Sequence, residues 1–441
     1  MVRQMKDSGI EWIGAIPSDW NIVRMKSCIS QRDGGAWGEE STGENGDIVC
    51  LRIADFDYSK FRFKDTPVSE LTHRHYPEKT IQKLTLQKND ILIEKSGGGE
   101  KTPVGRTVLF DKQYHALFAN FMDRIKCSEF IDPEFMQYVF VTFYKNNYTR
   151  NYIKQTTGIQ NLDLTYMLAK ENVPLPNLEE QKRIIVYLNQ KCAEIDSVIE
   201  KTTATIDEYR NLRQSIIANA VTRGIRQKRA TKASGIKWNE TIPCEWESIN
   251  PKALFALRKD KAKAGEKQLT ASQQYGVIYQ DEYMELTGTR IVTVEKDFDI
   301  LKHVEEGDFV ISMRSFQGGL EYSEKSGSIS SAYVMLIPDL NLVYPRFYKW
   351  LFKSSVYINA LQSTSNLVRD GQAMRYSNFA QVRLYSVPLD EQKEIADYLD
   401  KKCAEIDTLI EKKTALLEEM ESYKKSVIYE YVTGKKDVRE I

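Results

Sequence analysis

The chain contains an internal repeat, and this repeat constrains its fold more than any other sequence feature. The segment at 8–20 begins S-G-I-E-W and ends I-P-S-D-W, and a close copy of it stands 226 positions later at 234–246. The run K-C-A-E-I-D at 191–196 returns letter for letter at 402–407, an offset of 211. The sequence therefore predicts two tandem copies of one module, the second with a shorter middle.

The middles of the two copies differ far more than their ends. Residues 21–172 and 247–386 share only scattered signals, such as strand-like runs at 89–93 and 307–311 that each lead to a glycine cluster. Similar ends with different middles indicate one structural task carried out twice with a different specificity each time.

Each copy ends in a long stretch with heptad spacing of apolar residues. No proline interrupts the run from Leu178 to Thr222 or its counterpart at the end of the chain, so each predicts one helix of about 40 residues. The predicted helix seam consists of Leu188, Cys192, Ile195, Ile199 and Ile206 in the first copy and Leu399, Cys403, Ile406, Ile410 and Leu417 in the second, with a break at Lys413. Neither helix can bury such a seam alone, which favours pairing within the chain. The seam leaves parallel and antiparallel pairing open.

Between these ends, short β-type runs and aromatic-rich helical stretches predict mixed α/β domains. The predicted fold class is mixed α+β: two globular domains separated by a pair of long coiled-coil helices, with a pseudo-two-fold internal repeat. The predicted segments are a first domain at 1–172, a central region with the first long helix at 173–229, a second domain at 230–386, and a C-terminal region with the second long helix at 387–441.

Composition excludes several classes of function. The 62 Lys and Arg balance 62 Asp and Glu, whereas a general nucleic-acid coat needs a basic excess. No apolar run approaches the roughly 18 residues of a membrane span, and we expect a cytoplasmic protein. Six scattered cysteines and four histidines show no spacing typical of a disulfide framework or a metal site. No catalytic motif can be assembled, and we expect no catalytic residue, metal or cofactor in this chain.

The repeated openings, the P-L-P-x-L-x-E-Q-K element at 174–182 with its echo at 388–393, and the K-C-A-E-I-D runs strongly resemble type I restriction-modification DNA specificity subunits. The order of parts matches along the whole chain. The resemblance implies two target-recognition domains, each reading one half of a bipartite, asymmetric site in double-stranded DNA. It implies long helices that pair antiparallel, set the spacer and dock two methyltransferase subunits.

The resemblance further implies that this chain is not an enzyme. S-adenosylmethionine, ATP and Mg would be bound by its partner subunits, and two restriction or translocase subunits could also join the complex. The Trp residues at 12, 20, 238 and 246 are expected to pack in cores, because the shared openings should not vary with the target.

Candidate DNA-contacting residues are those whose side chains or backbone could reach base edges or phosphates from glycine-containing loops. In the first domain they are Trp37, Arg52, Lys95, Ser96, Lys101, Arg106, Thr157, Gly158, Gln160 and Asn161. In the second they are Arg258, Lys259, Lys261, Lys263, Gln273, Tyr275, Arg314, Gln317, Arg369 and Arg375. The alternative hypothesis is a protein-interaction scaffold, with two binding domains on a coiled-coil rod and no DNA binding.

Overall fold

The computed structural model describes residues 3–43, 47–155, 158–293, 300–364 and 374–438. The chain forms two compact units. Unit 1 is Met1–Thr203 together with Thr414–Ile441, and unit 2 is Ala204–Lys413. Each unit thus combines a mixed α/β domain with part of both long helices.

Unit 1 is built on several small sheets around two buried clusters. The largest sheet has the strand order Ile29–Gly34, Met122–Cys127, Ile91–Glu94, Thr107–Leu109, Arg62–Phe63 and Phe56–Asp57. A second has the order Ala116–Phe118, Asp47–Leu51, His73–His75 and Glu39–Glu40, and a third the order Ser96–Gly97, Gln160–Leu162 and Ile153–Gln155. Paired strands are Met5–Asp7 with Ala15–Pro17, and Asn21–Arg24 with Asn172–Leu175.

Unit 2 repeats this plan with fewer residues. Its largest sheet has the order Phe255–Leu257, Val334–Pro338, Phe309–Ile311 and Glu321–Tyr322. Paired strands are Thr231–Ile236 with Asn239–Pro243, Glu247–Ile249 with Leu384–Ser386, Leu269–Ser272 with Gly276–Tyr279, and Lys302–Val304 with Gly327–Ile329. An aromatic-rich buried cluster includes Trp246, Phe255, Phe309 and Phe352.

The helices, in chain order, are α1 (Glu78–Leu84), α2 (Pro133–Lys145), α3 (Leu164–Lys170), α4 (Leu178–Arg223), α5 (Gln280–Thr287), α6 (Ser315–Gly318), α7 (Pro345–Lys353), α8 (Ser355–Gln362), α9 (Tyr376–Gln381) and α10 (Leu389–Val432). Short 3-10 helices occupy Met25–Cys28, Ile53–Asp55, Val68–Glu70, Tyr148–Tyr152 and Pro251–Ala253. None of the helices in the described ranges is both long and apolar enough to cross a membrane.

The two long helices pair antiparallel, which decides between the orientations that the seam left open. Within unit 1, Tyr187 of α4 lies 4.4 Å from Tyr431 of α10 between ring centroids, and further along α4 Asp196 pairs with Lys424 at 2.6 Å. Positions along α10 thus fall as those along α4 rise. Within unit 2, Arg213 of α4 pairs with Asp407 of α10 at 3.0 Å. The predicted fold class, mixed α and β with two long helices, is confirmed.

The predicted seam residues differ in burial along the helices. Leu188, Cys192, Ile195, Ile206, Leu399, Cys403 and Ile406 are buried, whereas Ile199, Ile410, Leu417 and Lys413 are half-buried. The compact units divide both long helices internally, so they do not follow the four predicted segments. Those segment boundaries stay a prediction.

One set of contacts, which we call the clamp, fastens each domain to the start of its long helix. In unit 1, Glu180 of α4 accepts hydrogen bonds from the Trp20 indole N–H at 3.0 Å and from the guanidinium of Arg3. In unit 2, Glu391 of α10 accepts the corresponding hydrogen bonds from the Trp246 indole N–H at 3.0 Å and from the guanidinium of Arg229. Both carboxylates are buried. The repeated E-Q-K run therefore encodes a domain-to-helix junction.

The glutamine that follows each of these glutamates completes the clamp through backbone groups. Gln181 accepts from the backbone N–H of Asp132, directly before α2, and donates to the Pro176 carbonyl. Gln392 accepts from the N–H of Tyr344, directly before α7, and donates to the Val387 carbonyl. A fully buried amide with all its partners fixes its neighbours in a single arrangement.

Candidate nucleic-acid interface

A polar surface in unit 1 forms where the strands Ser96–Gly97 and Ile153–Gln155 flank Gln160–Leu162. Ser96 is paired with Asn161 across the sheet and donates its hydroxyl hydrogen to the Asn161 side-chain oxygen. Lys154 is paired with Asn161 from the other side. We define surface A as Arg32, Lys95, Ser96, Lys154 and Asn161.

Buried or half-buried carboxylates hold the cations of surface A in place. Asp123, whose side chain is 5% exposed, lies 2.7 Å from the Lys95 ammonium and 3.3 Å from the Arg32 guanidinium. Lys154 donates to Asp163 at 2.7 Å, and this hydrogen bond lowers the pKa of that carboxyl. Each cation is thus partly neutralised. Surface A therefore presents ordered donors without a large net charge.

The glycines beside surface A have a structural reason. Gly98 has φ +61°, and a Cβ there would stand 2.9 Å from the Thr102 carbonyl oxygen. A Cβ at Gly34 would stand 3.2 Å from the Lys95 ammonium nitrogen. Glycine at these positions allows the loop to close tightly and the lysine to lie against the backbone.

Other predicted residues of the first domain lie elsewhere. Trp37 and Arg52 belong to the four-stranded sheet region, where the Arg74 guanidinium lies 4.8 Å from the Trp37 ring centroid and Arg52 pairs with Asp55. Lys101 and Gly158 are exposed, and Thr157 lies outside the described residues.

Two predicted contacts of the first domain are engaged inside it. Arg106 forms a bidentate pair with the buried Glu94 and lies 3.8 Å from the Tyr58 ring centroid. Gln160 is 7% exposed and accepts from the Val104 N–H at 3.2 Å. Their DNA contact stays a prediction, and their placement argues against it.

A second polar surface forms in unit 2 around α6. The Gln273 side chain donates to the Arg314 carbonyl at 3.3 Å. A Cβ at Gly318 would stand 2.5 Å from the Gln273 side chain. Arg314 and Gln317 are exposed at the two ends of the same short helix. We define surface B as Gln273, Arg314 and Gln317.

The glycine pair in this region also has a structural reason. Gly319 has φ +76°, and a Cβ there would overlap the carbonyl oxygen of Phe352. The close approach of these two backbones holds the end of α6 beside the end of α7. The glycine cluster that follows the strand-like run at 307–311 is therefore required for packing. The helix that it ends has Arg314 and Gln317 at the surface.

The remaining predicted residues of the second domain separate into several groups. Arg258 pairs with the buried Asp308 at 2.5 Å and with Asp260 at 2.9 Å, so its guanidinium is used within the fold. Exposed residues are Lys259, Lys261, Lys263 and Tyr275, along with Arg375 directly before α9. Arg369 lies outside the described residues. These side chains are not part of surface B.

Arg32 and Lys154 of surface A were missed by sequence reasoning. Arg32 lies in a strand with no neighbouring glycine turn, and it joins Lys95 only because both contact Asp123. The clamp glutamates were also missed as functional residues, although their repeat was noted. The repeat of E-Q at the same place in both copies was the available signal. Buried glutamate and glutamine side chains require hydrogen-bond partners, so a repeated contact could have been predicted there.

Both surfaces present amide and guanidinium groups, which can make paired hydrogen bonds to base edges, and surface A also presents ammonium groups, which can contact phosphates. Within the part of the chain that the structure describes, no cluster of His, Cys, Asp and Glu could hold a metal ion. The fold and the surfaces together define a class of proteins with two repeated modules. Each module has a mixed α/β domain with its own polar surface, and the two modules share a pair of long helices.

Comparison with known proteins shows what this chain is similar to. Residues 17–208 match the family model described as the type I restriction modification DNA specificity domain. An archaeal chain named as the specificity subunit of the type I restriction enzyme MjaX, from Methanocaldococcus jannaschii, is 23% identical over 96% of this chain and 95% of its own length. A second from the same organism, the MjaVIII specificity subunit, is 28% identical over 49% of this chain and 48% of its own.

Solved structures agree on the fold. A chain from a study of complex assembly and conformational transition of the type I R-M system aligns with a TM-score of 0.68 at 14% identity, covering 96% of this chain and 99% of that one. The HsdS subunit from Thermoanaerobacter tengcongensis aligns with a TM-score of 0.50 at 13% identity, covering 96% and 98%. Residues 17–208 thus match the DNA specificity domain, and nearly the whole chain is similar to a type I restriction enzyme specificity subunit.

Proposed function

We propose that this chain is the DNA sequence-specificity subunit of a type I restriction-modification complex. Each domain reads one half of a bipartite, asymmetric site in double-stranded DNA, surface A contributing to one half and surface B to the other. The long helices set the spacer between the halves and dock the methyltransferase subunits.

The observation that carries this proposal is the contrast between the clamps and the surfaces. Trp20, Glu180 and Arg3 have counterparts with the same hydrogen bonds in Trp246, Glu391 and Arg229. Surface A is centred on a three-stranded sheet, whereas surface B is centred on a short helix. The two clamps are alike, whereas the two polar surfaces differ. A protein that reads two different half-sites requires this combination.

As a specificity subunit the chain is not the catalytic component. We propose that it binds no cofactor itself, and that two methyltransferase subunits supply S-adenosylmethionine-dependent methylation. Two restriction subunits, where present, would supply the ATP- and Mg-dependent steps. Since the ligand is cellular DNA, the proposed place of action is the cytoplasm.

The test is reconstitution of the chain with its methyltransferase subunits, followed by sequencing of methylated adenines in a genomic substrate. We expect one motif with two different halves and a fixed unread spacer. Asn161→Ala should relax one half and Gln317→Ala the other. Methylation that does not depend on this chain, or a motif unchanged by both substitutions, would favour the scaffold hypothesis instead.

A further inference from the structure

Each domain contacts its long helix at a second point, beyond the clamp, which we call the seat. In unit 1 the Tyr138 hydroxyl of α2 donates to the Asn189 side-chain oxygen of α4 at 2.7 Å. In unit 2 the Trp350 indole N–H of α7 donates to the Asp400 carboxylate of α10 at 2.7 Å. Both pairs occupy corresponding places in the repeat. The two seats therefore share one donor-to-helix hydrogen bond.

The charged groups around this shared hydrogen bond differ between the two seats. In unit 1 the domain contributes a carboxylate, Glu134, which accepts from the Asn189 amide at 3.0 Å and from Arg62 at 2.8 Å. The helix contributes only the neutral amide to this contact. This seat joins an anion on the domain to an uncharged group on the helix.

In unit 2 the arrangement is reversed. Arg346, at the position that corresponds to Glu134, pairs with Asp397 at 2.9 Å and with Asp400, its Nε lying 3.0 Å from the latter. It also donates to the Tyr344 hydroxyl. These hydrogen bonds raise the pKa of Arg346. Here the domain contributes the cation, and the helix contributes two carboxylates three residues apart.

We propose that the seat determines which recognition domain each helix segment accepts: the segment of α10 at 397–400 selects a domain with a cation at this position and rejects one with a carboxylate. The groups are half exposed, 47% for the Arg346 side chain and 40% for Asp400, so their attraction alone is weak. Rejection is the stronger effect, because a domain carrying glutamate here, like the first domain, would bring three carboxylates together.

The inference concerns the pairing of domain and helix and does not rest on DNA recognition. It can therefore fail while the proposed function stands, and the reverse also holds. Thermal unfolding of the full chain without DNA measures it directly, and methylation by the reconstituted complex reports separately on function.

The decisive variants place a carboxylate or a neutral amide in the seat. We expect Arg346→Glu to lower the midpoint of thermal unfolding by about 3 °C more than Arg346→Gln, since only glutamate adds repulsion to the loss of the pairs. In a chain that also carries Asp397→Asn and Asp400→Asn, the two variants should unfold within about 1 °C of each other. Raising the salt concentration to about 1 M should also remove most of the difference, because it shortens the screening length to about 3 Å.

Lys349→Glu is the matched control. It makes the corresponding change of charge on the same helix, but Lys349 pairs with Glu324 and not with α10. Its effect should be the same whether Asp397 and Asp400 are present or replaced. Equal losses for Arg346→Glu and Arg346→Gln would overturn the proposal, as would an extra loss that persists after both aspartates are neutralised.

Discussion

At the scale of single residues, the clamp glutamates have the most demanding environment. Glu391 is fully buried and accepts from Arg229 and Trp246, and its hydrogen bond raises the pKa of Arg229. Glu180 has the same partners in unit 1. A buried carboxylate is tolerated only when it is paired and hydrogen-bonded, so each clamp depends on all three members.

Replacing Glu391 with Gln should therefore destabilise the chain by about 2–3 kcal/mol, because the neutral amide leaves the Arg229 guanidinium with only the exposed Glu245 as a charge partner. Urea unfolding of the full chain measures this. Asp390→Asn is the control: Asp390 lies one residue earlier with its side chain 68% exposed, and losing its solvent-screened pair with Arg226 should destabilise the chain far less. Similar losses in both variants would argue against the clamp.

Arg314 is the residue whose role in base reading can be tested most directly. Its guanidinium is exposed and forms no ion pair with any of the residues that the structure describes. Replacement by Ala should reduce discrimination at one half-site by about 1–3 kcal/mol and leave the other half unchanged. Methylation rates on duplexes with single base changes in each half measure this, with exposed Arg290→Ala as the control. An equal loss at both halves would refute base reading by Arg314.

At the scale of elements, the long helices could be predicted from the sequence, whereas the polar surfaces could be predicted only in part. The heptad run and flanking prolines predicted a helix from Leu178 to Thr222, and α4 ends one residue later. Its orientation could not be predicted from the seam, because contacts between the helices reveal it, such as those of Tyr187 with Tyr431 and of Asp196 with Lys424. Surface A joins Arg32, Lys95 and Lys154 from three distant segments. Alternation of apolar and polar residues does not tell which of many short strands pair, so that set was only partly predicted.

Lengthening both long helices should change the spacer without changing either half-site. We place four-residue helical insertions between Thr203 and Ala204 and between Lys413 and Thr414, where the chain passes from one compact unit to the other. These points avoid the end of α4, where Gly224 packs against Trp246. Four residues add about 6 Å of helix, and base pairs rise about 3.4 Å each, so one or two unread base pairs should be added. Methylome sequencing measures the spacer.

The control for this insertion keeps the helix length and replaces the four residues on either side of each insertion point by other helix-forming residues. Its motif should match that of the unmodified chain. If the lengthened chain methylates sites with the original spacer, or if one half-site changes its sequence, the long helices do not set the distance.

At the scale of the whole molecule, charge is the property that most needs explaining in a chain proposed to read DNA. The chain has no net charge, and four successive stretches of it carry +1 at 1–170, +2 at 171–231, +1 at 232–386 and −4 at 387–441. Surface A agrees with this balance, since Asp123 and Asp163 partly neutralise its cations. Non-specific affinity for DNA comes mainly from cations that neutralise phosphates. Because the cations of this chain are balanced by carboxylates, we expect it to contribute little of that affinity.

We therefore expect weak DNA binding by the chain alone and tight binding once methyltransferase subunits enclose the duplex. Fluorescence anisotropy with a labelled duplex at several salt concentrations tests this. The affinity of the chain alone should fall with a shallow slope, equivalent to roughly three phosphate contacts, because each contact contributes a slope of about −0.9 on logarithmic axes. The complex should have a clearly steeper slope. A steep slope for the chain alone would contradict this account of its charge, and no binding in either state would support the protein-only scaffold.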